Sequence, residues 1–142
     1  VPTFNTYGPR MRLEDGRAIP NFINQALKNQ PVTVYGNGSQ TRSVCYVDDL
    51  VDGIYKLLLS DESMPVNIGN PDEISMLNLA KEVIELTNSK SEIIFQDLPS
   101  DDPKIRQPNI SKAEAILEWS PKVDRKLGLQ KTIVNFKERL KL

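Results

Sequence analysis

The sequence predicts an α/β fold with at least partly parallel strand pairing. Three observations lead there. β-rich runs such as "VTVY" and "EIIFQ" alternate with stretches whose apolar residues recur at helical spacing. No internal repeat, low-complexity tract or long linker divides the chain. Its 142 residues, 39% hydrophobic and 26% charged, are one domain's worth and enough to bury a core.

The elements follow in order. "TFNTYG" reads as the end of a strand that breaks into a loop at Gly8-Pro9. Ile19, Phe22, Ile23, Ala26 and Leu27 then form one apolar helical stripe, with Pro20 in the first turn, where its missing N–H costs nothing. "VTVYGNGSQTRSVCYV" holds two β-rich runs around Asn-Gly, the signature of a hairpin or tight turn. Asp48 is placed to cap a helix whose expected apolar face is Leu50, Val51, Ile54, Leu57 and Leu58. "PVNIGNP" reads as a short buried strand. Ser75 opens an amphipathic helix that stops near Asn88, and "EIIFQ" is a further strand. After the irregular "DLPSDDPKIRQPN", Ser111 and Glu114 have capping-box spacing for a short helix ending before Pro121. Leu129, Ile133, Phe136 and Leu140 mark the last helix. The chain begins with Val1 inside a strand-like run, which is expected of a piece of a longer polypeptide.

Composition excludes several chemistries. With no histidine, neither a Ser-His-Asp nor a Cys-His nucleophile can be built, and one cysteine leaves no ordinary zinc site. Cys45, in the apolar "SVCYV", reads as a small buried hydrophobe, and with no partner for an internal disulfide a cytoplasmic address fits. A formal charge of -1 gives no electrostatic footprint for nucleic acid, and no apolar run reaches the roughly 20 residues of a membrane span.

The candidate functional residues are mostly arginines. Arg10, Arg12 and Arg17 precede a helix whose N-terminal amides favour anions, and a guanidinium fork suits phosphate or carboxylate. Equally, Arg12 and Arg17 can pair with Glu14 and Asp15 in a solvated loop, and spacing alone favours that reading. "YGNGSQ" contains Gly-x-Gly without a third glycine or a following helix, so it reads as a turn rather than a dinucleotide fingerprint. Arg42 lies just beyond it, facing either a cleft or water. Asp48, Asp49 and Asp52 read as helix first-turn acids rather than metal ligands, and Asp101 and Asp102 as turn formers. Arg106, between Pro103 and Pro108, is either a stiffly held functional group or a surface residue near those two acids.

"FNTYGPRM", "DGR", "VYGNGSQTRSVCYVDDLVDGI", "VNIGNP" and "DDPKIRQPNISKAEAILEWSP" together resemble, in the same order, the C-terminal portion of the UDP-glucuronate decarboxylases (UDP-xylose synthases). These are extended short-chain dehydrogenases/reductases of Rossmann type. "NTYGP" and "VYG(x)G(x)Q(x)R" fit many NDP-sugar epimerases and dehydratases, whereas "GPRM" with "DGR" and "DDP(xx)R(x)P" point to the decarboxylases. The resemblance implies that residues 1–142 form a nucleotide-sugar-binding portion of mixed short strands and helices, without the N-terminal NAD-binding core. It implies an NAD-dependent lyase that oxidises C4 of UDP-glucuronate, loses CO2 and reduces the 4-keto product to UDP-xylose. By position, Thr6 and Arg12 would touch NAD, Arg17 the UDP-sugar, Arg42 its nucleotide-phosphate side and Arg106 the reacting glucuronate. Tyr35 and Gln40 would be nucleotide neighbours, and the full-length enzyme a homodimer. No tyrosine here is followed four places later by lysine, so the family's Tyr-x-x-x-Lys pair is absent from the chain, which alone is expected to be inactive. An NDP-sugar 4-epimerase or 4,6-dehydratase, or a non-catalytic nucleotide-sugar-binding module, are the alternatives.

Overall fold

A computed structural model describes residues 6–13, 16–97 and 107–142. Among the described residues six short strands and five helices follow one another. They are β1 (Thr6–Tyr7), α1 (Ala18–Leu27), β2 (Val32–Tyr35), β3 (Thr41–Ser43), β4 (Cys45–Tyr46), α2 (Val47–Leu58), β5 (Glu73–Ser75), α3 (Met76–Leu86), β6 (Ile93–Gln96), α4 (Ser111–Leu117) and α5 (Arg125–Leu140). β1 pairs in parallel with β4, β2 in parallel with β6, and β3 antiparallel with β5. The α/β expectation with partly parallel pairing holds.

The Asn-Gly segment makes a tight turn and no hairpin. Gly38 N–H donates to Tyr35 O at 3.2 Å, and Gly36 and Gly38 both take positive φ. The flanking strands then part, because each has a better partner far away in sequence. Val32 and Val34 are buried and β2 joins β6, while β3 joins β5. The turn instead closes α3. The carbonyls of Gln40 and Gly38 accept from Met76 N and Leu77 N at 2.9 and 3.1 Å, and Ser75 Oγ accepts from Asn78 N. Three amides that a helix start leaves unpaired are thereby satisfied.

Two other helix starts differ from expectation. α2 begins at Val47, so Asp48 and Asp49 sit inside its first turn rather than at the cap. α4 begins at Ser111 itself, whose N–H and hydroxyl both donate to Asn109 Oδ1, so the Ser111–Glu114 box does not form. Val66 and Ile68 of "PVNIGNP" are buried but lie in none of the six strands, and Glu73–Ser75, not foreseen as a strand, is one. The expected apolar face of α2 is largely open: Val51, Ile54 and Leu58 are exposed.

The main core joins α1, α3 and α5 to β1, β2 and β4 through residues such as Phe22, Ile23, Leu79, Leu129 and Phe136. A smaller cluster gathers Val66, Ile68, Ile110, Ala113, Leu117 and Trp119 under α2. Asp49 brackets the two regions. Its carbonyl accepts from the Trp119 indole at 3.0 Å, and its buried carboxylate accepts from Val123 N at 2.9 Å.

α5 approaches β1 at Gly128. A Cβ there would stand 2.1 Å from Tyr7 Oη and 2.8 Å from Tyr46 Cδ1. Gly128→Ala should therefore lower stability by about 1–3 kcal/mol through overpacking. At an open helical position the same change would raise stability by about 1 kcal/mol. Urea unfolding of the full-length protein reads the sign, and an unchanged or raised midpoint contradicts this contact.

Candidate functional site

A cavity of about 330 Å³ opens between α1, β2 and the loop that precedes α1. α1 makes it by dividing its residues between two faces. Ile19, Phe22, Ile23 and Ala26 are buried, while Ala18, Asn21 and Gln25 contribute polar and small groups to the cavity rim. β2 divides likewise by strand alternation: Val32 and Val34 face the core, Thr33 and Tyr35 the cavity. Gln25 ties the two walls together. Its Oε1 accepts from Thr33 N at 3.1 Å, and its Nε2 donates to Thr33 Oγ1 at 3.2 Å.

Five of the residues singled out from the sequence meet on this cavity: Thr6, Arg17, Tyr35, Gln40 and Arg42. Thr6 comes from β1 and Arg42 from β3, where its Nη1 donates to Thr41 O at 2.7 Å. Arg17 is the exposed residue at which α1 begins. Gln40 is buried and donates to Tyr35 O at 3.1 Å, which fixes the strand end that presents Tyr35. Arg12 is exposed and does not line the cavity. Arg106, Glu14, Asp15, Asp101 and Asp102 lie outside the described residues.

The loop before α1 is anchored from the helix it feeds. Asn21 Nδ2 donates to Gly16 O at 3.0 Å and Asn24 Nδ2 to Leu13 O. Gly16 takes φ +87°, a conformation side-chain-bearing residues rarely adopt. Gln25, Thr33, Met11 and Met76 also line the cavity and were missed in the sequence. Thr33 was legible, since alternation places it on the face of Tyr35. Gln25 had only its position beside an apolar stripe.

Tyr7 borders the cavity but does not serve it. Its hydroxyl donates towards Arg125 O at 3.4 Å, and burial, partly opposed by the Arg125 charge, pushes the phenol well above its ordinary value. A phenol so held keeps its proton and is no general base. Among the described residues no three His, Cys, Asp or Glu side chains cluster for a metal ion, and no helix is long and apolar enough to cross a membrane.

Residues 1–69 match the NAD dependent epimerase/dehydratase family. Over 137 residues the chain is 49% identical to a protein of Arabidopsis thaliana named UDP-glucuronic acid decarboxylase 5, covering 96% of this chain and 40% of that one. Over nearly its whole length the chain is thus similar to proteins of that name. UDP-glucuronic acid decarboxylase 1 of Xenopus tropicalis is 48% identical over the same share of the chain and 32% of its own length. The chain thus spans less than half the length of these relatives. Among solved structures, a UDP-glucose 4-epimerase from Thermotoga maritima with UDP-glucose superposes with a TM-score of 0.93 at 27% identity, over 97% of this chain and 45% of that one. A UDP-glucuronic acid 4-epimerase from Bacillus cereus with UDP-glucuronic acid and NAD gives 0.88 at 29%, over 96% and 44%. The Rossmann-type extended short-chain dehydrogenase/reductase fold and the likeness to UDP-glucuronate decarboxylases follow.

Cys45 stands apart from the site. It is fully buried, and burial followed by the Asp49 charge pushes its thiol up to about 12. At about pH 8, near the ordinary thiol value, almost no thiolate forms in the native state. Iodoacetamide should then leave Cys45 unmodified in the native full-length protein and alkylate it in strong denaturant, as read by peptide mass spectrometry. Rapid native alkylation would contradict this burial.

Proposed function

We propose that the full-length protein carrying this chain is an NAD-dependent UDP-glucuronate decarboxylase, and that residues 1–142 are its nucleotide-sugar-binding part. One observation carries the reading: two arginines, Arg17 and Arg42, converge with Thr6, Tyr35 and Gln40 on a single cavity of about 330 Å³. That is the low end of the range for small-molecule sites, where a few placed polar groups set orientation. Guanidinium groups on a cavity wall suit a diphosphate. Arg17 contacts the UDP-sugar and Arg42 its nucleotide-phosphate side, while Tyr35 and Gln40 neighbour its nucleotide. The similarity to decarboxylases over 96% of the chain supports the choice of reaction.

The fit to NAD is partial. The Gly36–Gly38 turn runs into β3 and closes α3, so this glycine turn does not open onto a free helix start to cradle a dinucleotide diphosphate. Thr6 and Arg12 are left as contacts to an edge of the cofactor, and its cradle lies in the remainder of the polypeptide. When bound, NAD supplies the oxidation at C4 and its reversal. The exposed apolar residues of α2, Val51, Tyr55 and Leu58 among them, support a chain covered by further protein rather than one acting by itself.

Arg106 acts on the reacting glucuronate. Loss of CO2 from a 4-keto acid drives negative charge onto the ketone oxygen, and a guanidinium held between Pro103 and Pro108 orients the carboxylate and then meets that charge.

Supplied with UDP-glucuronate and NAD, the full-length protein should release CO2 and form UDP-xylose. Formation of UDP-galacturonate without CO2 would instead favour the 4-epimerase reading, which the fold of the Bacillus cereus structure accommodates equally well. Arg106→Ala should lower turnover by roughly 100-fold, the scale of losing one transition-state donor. Affinity for plain UDP, which lacks the carboxylate, should barely change. Near-normal CO2 release by that variant returns Arg106 to the surface.

A further inference from the structure

α5 contributes no residue to the cavity lining, yet its last turn grips the loop that walls it. Arg139 Nη2 donates to Pro9 O at 2.9 Å and to Met11 O at 2.5 Å. Its guanidinium lies 4.9 Å from the centre of the Phe136 ring, which is fully buried and therefore fixed. Stacking on that ring restricts the side chain, so less freedom is lost when it bonds the loop.

These two carbonyls matter by position. They flank Arg10, and the Met11 carbonyl belongs to the peptide unit that leads into Arg12. Met11 itself packs against the core and lines the cavity. At its other end the same loop is pinned by Asn21 and Asn24 of α1. Three side chains from two helices thus bond this loop at Pro9, Met11, Leu13 and Gly16, and Arg139 is the one that reaches Pro9 and Met11 among the described residues.

We propose that Arg139 is a positioning residue for the sugar-nucleotide site. It holds residues 9–11 so that Met11 and, further along the loop, Arg17 keep their places in the cavity wall. This rests on the reading of that cavity as the sugar-nucleotide site. Being exposed and near the end of its helix, Arg139 adds little to global stability; its effect falls on the loop.

The test is Arg139→Met in the full-length protein, which keeps an apolar stem over Phe136 and removes the donors, with Arg17→Ala alongside. Calorimetric titration with UDP should show Arg139→Met weakening Kd about fivefold, equivalent to about 1 kcal/mol. KM for UDP-glucuronate should rise similarly while kcat stays within about twofold, as expected when binding rather than the chemical step is touched. The melting temperature should move by less than about 2 °C. Arg139→Lys should recover part of the affinity, because an ammonium lacks the planar fork. Unchanged UDP affinity in Arg139→Met beside a weakened Arg17→Ala overturns the positioning role and leaves the site reading standing. Unchanged affinity in both variants overturns the two together. A loss of affinity accompanied by a fall of more than about 5 °C in melting temperature also overturns the role, since general destabilisation would then account for it.

Discussion

The seating of α1 on the core is the constraint on which the cavity depends. Ile19, Phe22 and Ile23 are almost wholly buried, and each such side chain contributes about 1.5–3 kcal/mol. The Gln25–Thr33 pair contributes about 0.5–1.5 kcal/mol per hydrogen bond and cannot compete in strength. Direction is its contribution. Apolar burial decides that α1 docks, and the amide bridge to β2 decides how far the helix is rotated when it does. A rotation that freed Gln25 would turn Asn21 and Asn24 away from the loop they hold, so wall and loop share one setting.

Periodicity made α1, α3 and α5 legible, because each presents one apolar face to one core, and a short β-rich run marked β6. Pairing was less legible. Asn37-Gly38 announces a turn correctly, but turn chemistry fixes only where a chain reverses, not which strands meet afterwards. Val32 and Val34 find β6 some sixty residues on because burial, a non-local quantity, decides. Helix caps slipped by one or two residues: Tyr46 rather than Asp48 stands at the cap of α2, and Asn109 Oδ1 accepts from Ser111 N at the start of α4. The site's arginines were visible as chemistry, while their gathering on one cavity needed the fold. Spacing alone favoured a solvated loop for Arg17 and left Arg42 undecided, and only the family resemblance gave them roles. Thr33 could be placed beside Tyr35 by strand alternation, whereas Gln25 had only its position beside an apolar stripe.

Asp49 illustrates how one residue can satisfy a local rule and a distant one. An acid in the first turn of α2 complements the helix dipole, which is how the sequence reads. The fold adds the bond to Val123 N and the indole bond to its carbonyl, which join α2 to the segment after α4. The glycine turn behaves similarly. A Gly-x-Gly that resembles part of a phosphate loop spends its carbonyls on the start of α3, and Gly38 leaves no room for a Cβ beside Leu77 and Val34.

The contact between Tyr7 and Arg125 joins residues 118 apart in sequence, and Arg139 reaches back further still to Pro9. During synthesis β1 is made well before α5, and the backbone that receives its tyrosine follows 118 residues later. Until α5 has left the ribosome, Tyr7 and Tyr46 keep an uncovered side, and the first loop lacks its outer hold. Closing so long a span is entropically slow, and the apolar surface it leaves bare is a site for chaperones or misassociation. Within this stretch the order of translation thus runs against the order of burial, and the loop beside the cavity gains its outer hold only once α5 is made.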